Sequence, residues 1–143
     1  MKLSTRTRYG TRAMVELACH SEGGPLPLHA IGHEQEISVK YLEQLMSILK
    51  SGNLVRSVRG AKGGYLLTKA PDKIKVSEIF FCLEGSNNTV DCVQDNPQCD
   101  RAPTCPVRPL WQQVNNAIIH TLQSVTLQDL IDKRSPSKNN HSR

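Results

Sequence analysis

Apolar positions at Tyr9, Ala13, Met14, Leu17 and Ala18 make a stripe at 3.6-residue spacing, which predicts a helix over residues 5–20. Gly23, Gly24 and Pro25 end it. A short second helix is predicted over residues 28–35, with Leu28 and Ile31 turned inward and Gly32 allowing a neighbour to approach closely. Ser38 is a good N-cap, and behind it Leu42, Leu45, Met46 and Leu49 form an i, i+3, i+4, i+7 stripe running to Gly52. On the opposite face of this third helix Lys40, Glu43, Gln44 and Ser47 recur at the same spacing, all polar and able to meet base edges and phosphates. Two helices joined by a turn of about three residues, the second with a polar outer face, form a helix-turn-helix pattern.

The pattern then changes period. Residues 54–58 have strand character, Arg59-Gly60-Ala61-Lys62-Gly63-Gly64 is a basic, turn-rich tip, and residues 65–68 return as a second strand. A basic hairpin beside a recognition helix is a wing, and Arg59 and Lys62 can reach into a minor groove or onto phosphates. The same polar stripe and basic tip would serve as an ordinary solvated surface, but their conjunction favours DNA. A membrane-binding patch would instead place basic residues beside exposed aromatics on one helix, an arrangement this chain lacks.

Val76, Ile79, Phe80 and Leu83 predict a fourth helix that packs on the winged helix and ends near Gly85. From residue 86 to residue 104 periodicity is lost and Asn, Asp, Pro, Gln and Cys dominate, which marks an irregular loop of unusual length. Pro106 suits the first turn of a new helix. Along that helix Leu110, Trp111, Val114, Ile118 and Leu122 make a long apolar stripe with little of so small a domain left to cover, so it is read as a dimer interface between two copies of the chain. Thr126 with Asp129 resembles a capping box opening a short last helix. The expected organisation is a winged-helix DNA-binding domain over 1–85, a cysteine-containing loop over 86–105, a dimerisation helix and short last helix over 106–133, and a disordered basic tail over 134–143. The fold class is mainly α, a winged helix-turn-helix with a small β-hairpin and a long C-terminal dimerisation helix.

Charge and cysteines add the chemistry. The 143 residues carry 18 Lys and Arg against 13 Asp and Glu, a surplus that favours a polyanionic partner. No apolar run suits a membrane span, and the start lacks the apolar region of a secretory signal, which predicts a cytoplasmic protein. In a reducing compartment its 5 cysteines suit buried positions, metal ligation or redox sensing better than a disulfide framework. Cys19 and Cys82 fall on helices and are read as small buried hydrophobes. Cys92, Cys99 and Cys105 lie in the loop at C-x6-C-x5-C spacing, without the C-x2-C pair of a zinc ribbon. Single, evenly separated thiolates suit a larger object such as an iron-sulfur cluster, of two or four irons, with Cys105 near a helix N-terminus whose dipole favours an anionic group. A thiol-disulfide sensor without metal stays open. No P-loop, zinc-protease helix or nucleophile elbow is present, and no catalytic activity is expected.

Three blocks carry a resemblance: Met1-Lys2-Leu3-Ser4 with Arg8-Tyr9, the run from Ile37 to Leu45 (ISVKYLEQL), and the run from Val58 to Tyr65 (VRGAKGGY). Over roughly residues 1–130 the chain resembles the family of bacterial winged-helix regulators of the IscR, NsrR and CymR type. The resemblance implies that the third helix, with Ser38, Lys40, Tyr41, Glu43 and Gln44, enters the major groove and that Arg59 enters the minor groove. It implies that Glu43 bears on which promoter class is bound, and that Cys92, Cys99 and Cys105 hold a cluster.

The chain departs from the family at three places. The turn position often held by glycine is Glu36, at a cost of about 1 kcal/mol if that residue is left-handed. A histidine that serves IscR-type proteins as fourth ligand is replaced by Arg108, which stays protonated and cannot ligate. The aspartate used by the NsrR type is replaced by Arg8. Asp91, Asp95, Asp100, His120, a partner residue and water all stay open as the fourth ligand.

The resulting expectation is a homodimeric transcriptional regulator, by preference a repressor. It binds double-stranded DNA at a pseudo-palindromic operator under control of an iron-sulfur cluster that senses cluster supply, iron, oxygen or nitric oxide. The alternatives are a cluster-free thiol-sensing or partner-controlled repressor of the same fold, and an iron-sulfur carrier or electron-transfer protein.

Overall fold

A computed structural model of the chain describes residues 3–85 and 103–134. Cys92, Cys99, Asp91, Asp95, Asp100 and residues 135–143 lie outside the described residues. In order the elements are α1 (Thr5–Cys19), α2 (Leu28–Gln35), α3 (Val39–Ser51), β1 (Val55–Val58), β2 (Gly64–Leu67), a 3-10 turn (Pro71–Lys73), α4 (Val76–Glu84), α5 (Arg108–Gln123) and α6 (Leu127–Asp132). The fold is mainly helical with one antiparallel hairpin, as the stripes predict, and its helix bounds fall within a residue or two of those read from periodicity. No helix among the described residues is long and apolar enough to cross a membrane.

The stripes of α1, α3 and α4 meet in one core. Met14, Leu42, Leu45, Met46, Leu49, Ile79 and Leu83 are buried there, joined by Ile31 of α2 and Leu127 of α6. The polypeptide also closes on itself. Val76 N–H donates to the Val125 carbonyl at 2.8 Å and Leu127 N–H to the Ile74 carbonyl at 3.0 Å, which pins the start of α6 beside the start of α4. Capping follows the local signals: the Ser4 hydroxyl accepts from Thr7 N–H, and Thr126 and Asp129 form a reciprocal capping box.

Two close approaches set the winged-helix geometry. A Cβ on Gly32 would come within 2.7 Å of the Ile37 carbonyl, so α2 and the start of α3 can touch only through a glycine. A Cβ on Gly64 would meet the Leu26 carbonyl at 2.4 Å. There Leu26 and Tyr65 exchange backbone hydrogen bonds of 2.9 and 3.0 Å, so the segment before α2 lies along β2 as a third, one-residue strand.

Three local expectations need correction. Pro106 does not open α5, which begins two residues later at Arg108 and carries Pro109 in its first turn. Cys19 and Cys82 are only half-buried, because each sits at the rim of the core where its sulfur finds a polar partner. Arg134, read as the first residue of a disordered tail, is an ordered ion-pair partner of α1.

Candidate nucleic-acid interface and cysteine site

The turn between α2 and α3 is held by backbone geometry. Glu36 adopts the left-handed conformation, φ 56° and ψ 45°, so the glutamate that stands where the family often has glycine does carry the backbone cost. Ile37 N–H donates to the Gly32 carbonyl at 3.0 Å, and the Ser38 hydroxyl then accepts from Tyr41 N–H at 3.2 Å. Buried Ile37 and Leu42 stand at the N′ and N4 positions on either side of the cap, as in a hydrophobic staple. With the inner stripe so fixed, Ser38, Lys40, Glu43, Gln44 and Ser47 are all exposed. Tyr41 differs: its half-buried ring packs edge-on against Tyr9 of α1, centroids 6.0 Å apart at 84°. The ring thus braces α3 against α1 as well as bordering the polar face.

The hairpin pairs Val55 with Leu67 through Val58 with Gly64. Arg59 and Lys62 stand exposed on its tip. Lys50, in the last turn of α3, donates through Nζ to the Ser57 hydroxyl of β1 at 3.2 Å, linking recognition helix to wing. The Thr68 hydroxyl adds a bond to the Asn53 carbonyl at 2.7 Å. Lys50 is not among the expected DNA-facing residues; its signal in the sequence is a basic residue at the helix C-terminus followed by a strand.

A polar network missed from the sequence lies behind this face. Glu16 of α1 is only 1% exposed. Its carboxylate accepts from Arg134 at 2.9 Å and from the Gln35 side-chain amide at 2.8 Å. Gln35, the last residue of α2, is gripped in turn by Arg12, which donates to its side-chain oxygen at 2.9 Å and to its carbonyl. Arg134 also donates to Cys19 Sγ at 2.9 Å and lies 3.7 Å from Glu34. A buried carboxylate is tolerable only when paired in this way. The available signal was weak: on the helical wheel Glu16 falls at the edge of the apolar stripe, beside Tyr9. At the other end of α1 the Glu84 carboxylate accepts from the Ser4 and Thr7 hydroxyls, bonds that hold its pKa below the usual carboxylate range.

Of the predicted cluster ligands only Cys105 is described. It is half-buried in the turn before α5, and its carbonyl accepts from Arg108 N–H at 3.3 Å. Its position three residues before the helix keeps it near the positive end of the α5 dipole. His120 is exposed in the last turn of α5, about 15 residues and some 20 Å of helix beyond Cys105. Among the described residues no group of three or more metal-ligating side chains comes together. The donor set fits an iron-sulfur cluster by its chemistry, three cysteines on a short segment, of which one is placed. Cys82 is no candidate, since it donates to the Ile48 carbonyl and burial pushes its thiol pKa up.

The predicted interface helix leaves its apolar stripe largely uncovered. Leu110 is 51% and Trp111 40% exposed, while Val114, Ile118 and Leu122 are half-buried and only Asn115 is buried. An open groove of about 860 Å³ continues from the end of this helix, between Leu122, Phe80, Leu130 and Val15 and the polar rim of Arg8 and Arg12.

Known proteins share this architecture and about a third of this sequence or more. A family model described as Rrf2, iron-dependent transcriptional regulator, matches residues 3–133. Protein rrf2 of Nitratidesulfovibrio vulgaris is 38% identical over 131 residues, which cover 92% of this chain and 87% of that protein. The HTH-type transcriptional regulator IscR of Photorhabdus laumondii is 39% identical over 134 residues, 94% of this chain and 81% of that one. Among solved structures CymR, the global cysteine regulator of B. subtilis, superposes with a TM-score of 0.80 at 38% identity, covering 94% of this chain and 99% of that chain. The IscR of T. potens does so with 0.77 at 34%, covering 96% and 91%.

Proposed function

The chain belongs to the Rrf2 family of transcriptional regulators, and from that premise we propose that it is a homodimeric DNA-binding repressor whose affinity or choice of site depends on an iron-sulfur cluster held by Cys92, Cys99 and Cys105. The observation that carries the DNA reading is the exposed polar face of α3 beside the basic wing tip, the two linked through Lys50 and Ser57. In this reading Gln44 and Glu43 meet base edges in the major groove, a glutamine pairing with adenine and a carboxylate accepting from cytosine N4. Ser38 and Lys40 meet phosphates at the helix start, and Tyr41 contributes from its edge-on seat. Arg59 and Lys62 carry the wing into the minor groove and onto the backbone.

The apolar stripe of α5, from Leu110 and Trp111 through Val114 and Ile118 to Leu122, is the surface two copies share. Two recognition helices would then address two half-sites of a pseudo-palindromic operator. When bound, the cluster supplies an anionic group whose integrity responds to iron supply, oxygen and nitric oxide. The segment carrying Cys92, Cys99 and Cys105 joins α4, which packs on the DNA-binding core, to α5, so its conformation bears on the spacing of the recognition helices. Regulation then depends on a difference in cluster affinity between two arrangements of the dimer. Arg108 takes no part as a ligand, and the fourth position belongs to another group.

Similarity to CymR, a cysteine regulator, favours a second reading in which the same dimer responds through its thiols or a protein partner and holds no cluster. A native mass spectrum of protein purified without oxygen separates the two. The first predicts a dimer carrying iron and sulfide, and the second a bare dimer. Replacing Cys92, Cys99 and Cys105 together by alanine should change operator affinity or range in the cluster-loaded protein. Affinity unchanged under every redox condition would remove cluster control. For the DNA face, Arg59→Ala and Gln44→Ala should each weaken specific binding, and undiminished affinity in both would remove the docking arrangement.

A further inference from the structure

Five large hydrophobic residues are exposed among the described residues: Leu3, Val39, Val107, Leu110 and Trp111. Val107, Leu110 and Trp111 belong to the start of α5, and Leu3 borders the groove at α1. Val39 belongs neither to α5 nor to the lining of that groove. It is the first residue of α3, 41% exposed, and its neighbours in sequence, Ser38 and Lys40, are exposed polar residues, as is Glu43 one turn on.

Among the described residues the start of α3 is fixed by other side chains. The capping bond is made by Ser38, and the buried pair flanking the cap is Ile37 and Leu42. Valine also has lower helix propensity than the straight-chain polar residues that would suit an exposed first turn. Exposing it forgoes burial that its methyl groups would otherwise gain.

The side chain is well suited to reading shape. Its branched Cβ restricts χ1, so little rotamer freedom is lost on contact. A Cβ built on Gly32 would stand 3.6 Å from Val39 Cγ2, which places that methyl beside α2 and steadies the side chain further. The first turn of a recognition helix is the part that reaches base edges in the major groove, where the one apolar feature is the 5-methyl group of thymine.

We propose that Val39 is a specificity-determining residue that packs against a thymine methyl group in each half-site, next to the base edge addressed by Glu43. The inference rests on the DNA-reading function of α3 and assigns one position of that reading. It implies a preference for thymine over cytosine at one position, through a contact that hydrogen bonding does not supply. A 5-methylcytosine at that position would restore the apolar contact.

The test is a double-mutant cycle between protein and DNA. The full-length protein first selects its preferred duplex from a randomised library. Each thymine of that duplex is then replaced in turn by deoxyuridine, which removes only the methyl group. Wild type should lose about three- to fivefold in affinity at one thymine of each half-site, the worth of one buried methyl group. Val39→Ala should bind thymine and uracil duplexes equally at that position and keep its wild-type affinity for random-sequence DNA. Additive effects of Val39→Ala and the uracil replacement at every thymine would overturn the proposal. Selection that enriches no duplex at all would instead remove the DNA reading on which it rests. The circular dichroism spectrum of Val39→Ala, expected to match wild type, separates lost contact from lost fold.

Discussion

The helices α3 and α5 are built on the same sequence principle and end in opposite situations. Each carries an apolar stripe at helical spacing with polar residues opposite. In α3 the stripe of Leu42, Leu45, Met46 and Leu49 is completely covered by α1, α2 and α4 of the same chain. In α5 Leu110 and Trp111 stay in solvent and only Asn115 is buried. An amphipathic period therefore establishes that a face must be covered without saying by what. For α3 the cover is intramolecular and the outer polar face is left for a ligand. For α5 the cover is assigned here to a second copy of the chain.

Substitutions in the two stripes should separate these roles. Leu45→Ala removes side-chain volume from a residue 1% exposed and should cost about 2–5 kcal/mol in urea unfolding, independent of protein concentration. Trp111→Ala should leave the unfolding of the dissociated chain within about 0.5 kcal/mol of wild type while raising the dimer dissociation constant at least tenfold by sedimentation. Equal losses of monomer stability from the two would mean that α5 is covered within its own chain.

The polar network under α1 tests how firmly the residue that follows α6 is tied to α1. Arg134→Ala should cost about 2 kcal/mol, because it leaves the Glu16 carboxylate buried with the Gln35 amide and the more distant His20 ring as its remaining partners. Adding Glu16→Gln should recover part of that loss, a reversal that denaturant titration of the single and double variants can read. A loss that Glu16→Gln deepens would mean that the cost arises outside the Arg134–Glu16 pair.

Smaller effects test the recognition side. Glu36→Gly relieves a left-handed backbone at the turn before α3 and should gain up to about 1 kcal/mol in thermal unfolding with DNA affinity unchanged. The smallest effect concerns Glu84, whose folded pKa is depressed by the Thr7 and Ser4 hydroxyls. A depressed carboxylate stabilises the fold above its unfolded pKa of about 4.3 and loses that contribution as pH falls through the lower folded value. Wild type should therefore lose up to about 1 kcal/mol more than Glu84→Gln as pH falls from about 5 toward 3. Parallel stability curves for the two would show that the carboxylate contributes no pH dependence.

Much of the fold was legible because its signals are local. The caps at Ser38 and Thr126, the stop at Gly85, the stripes of α1, α3 and α4 and the basic hairpin tip each depend on residues a few positions apart. The left-handed turn at Glu36 was within reach only through the family resemblance, in which that turn position often holds glycine. What escaped depends on residues distant in sequence. Glu16 reads as an ordinary helix surface charge until Arg134 returns from the far end of the chain to pair with it. Cys19 and Cys82 read as core residues until their polar partners place them at its rim. Pro106 and Pro109 suit a first helical turn equally well by propensity, and the turn around Cys105 selects the later one.

The sequence by itself determined which stretches become helix or hairpin, which face of each is apolar, and the polar and basic residues available to DNA. Periodicity, capping and turn chemistry act over one or two turns of chain, so one sequence contains them entire. Tertiary structure alone decided which apolar faces would be covered. It brought the buried carboxylate of Glu16 to its arginine, turned the Tyr41 ring against α1, and left Val39 partly exposed at the start of the recognition helix. Those outcomes depend on close packing among elements remote in sequence, where the space left by every other side chain decides the place of each one.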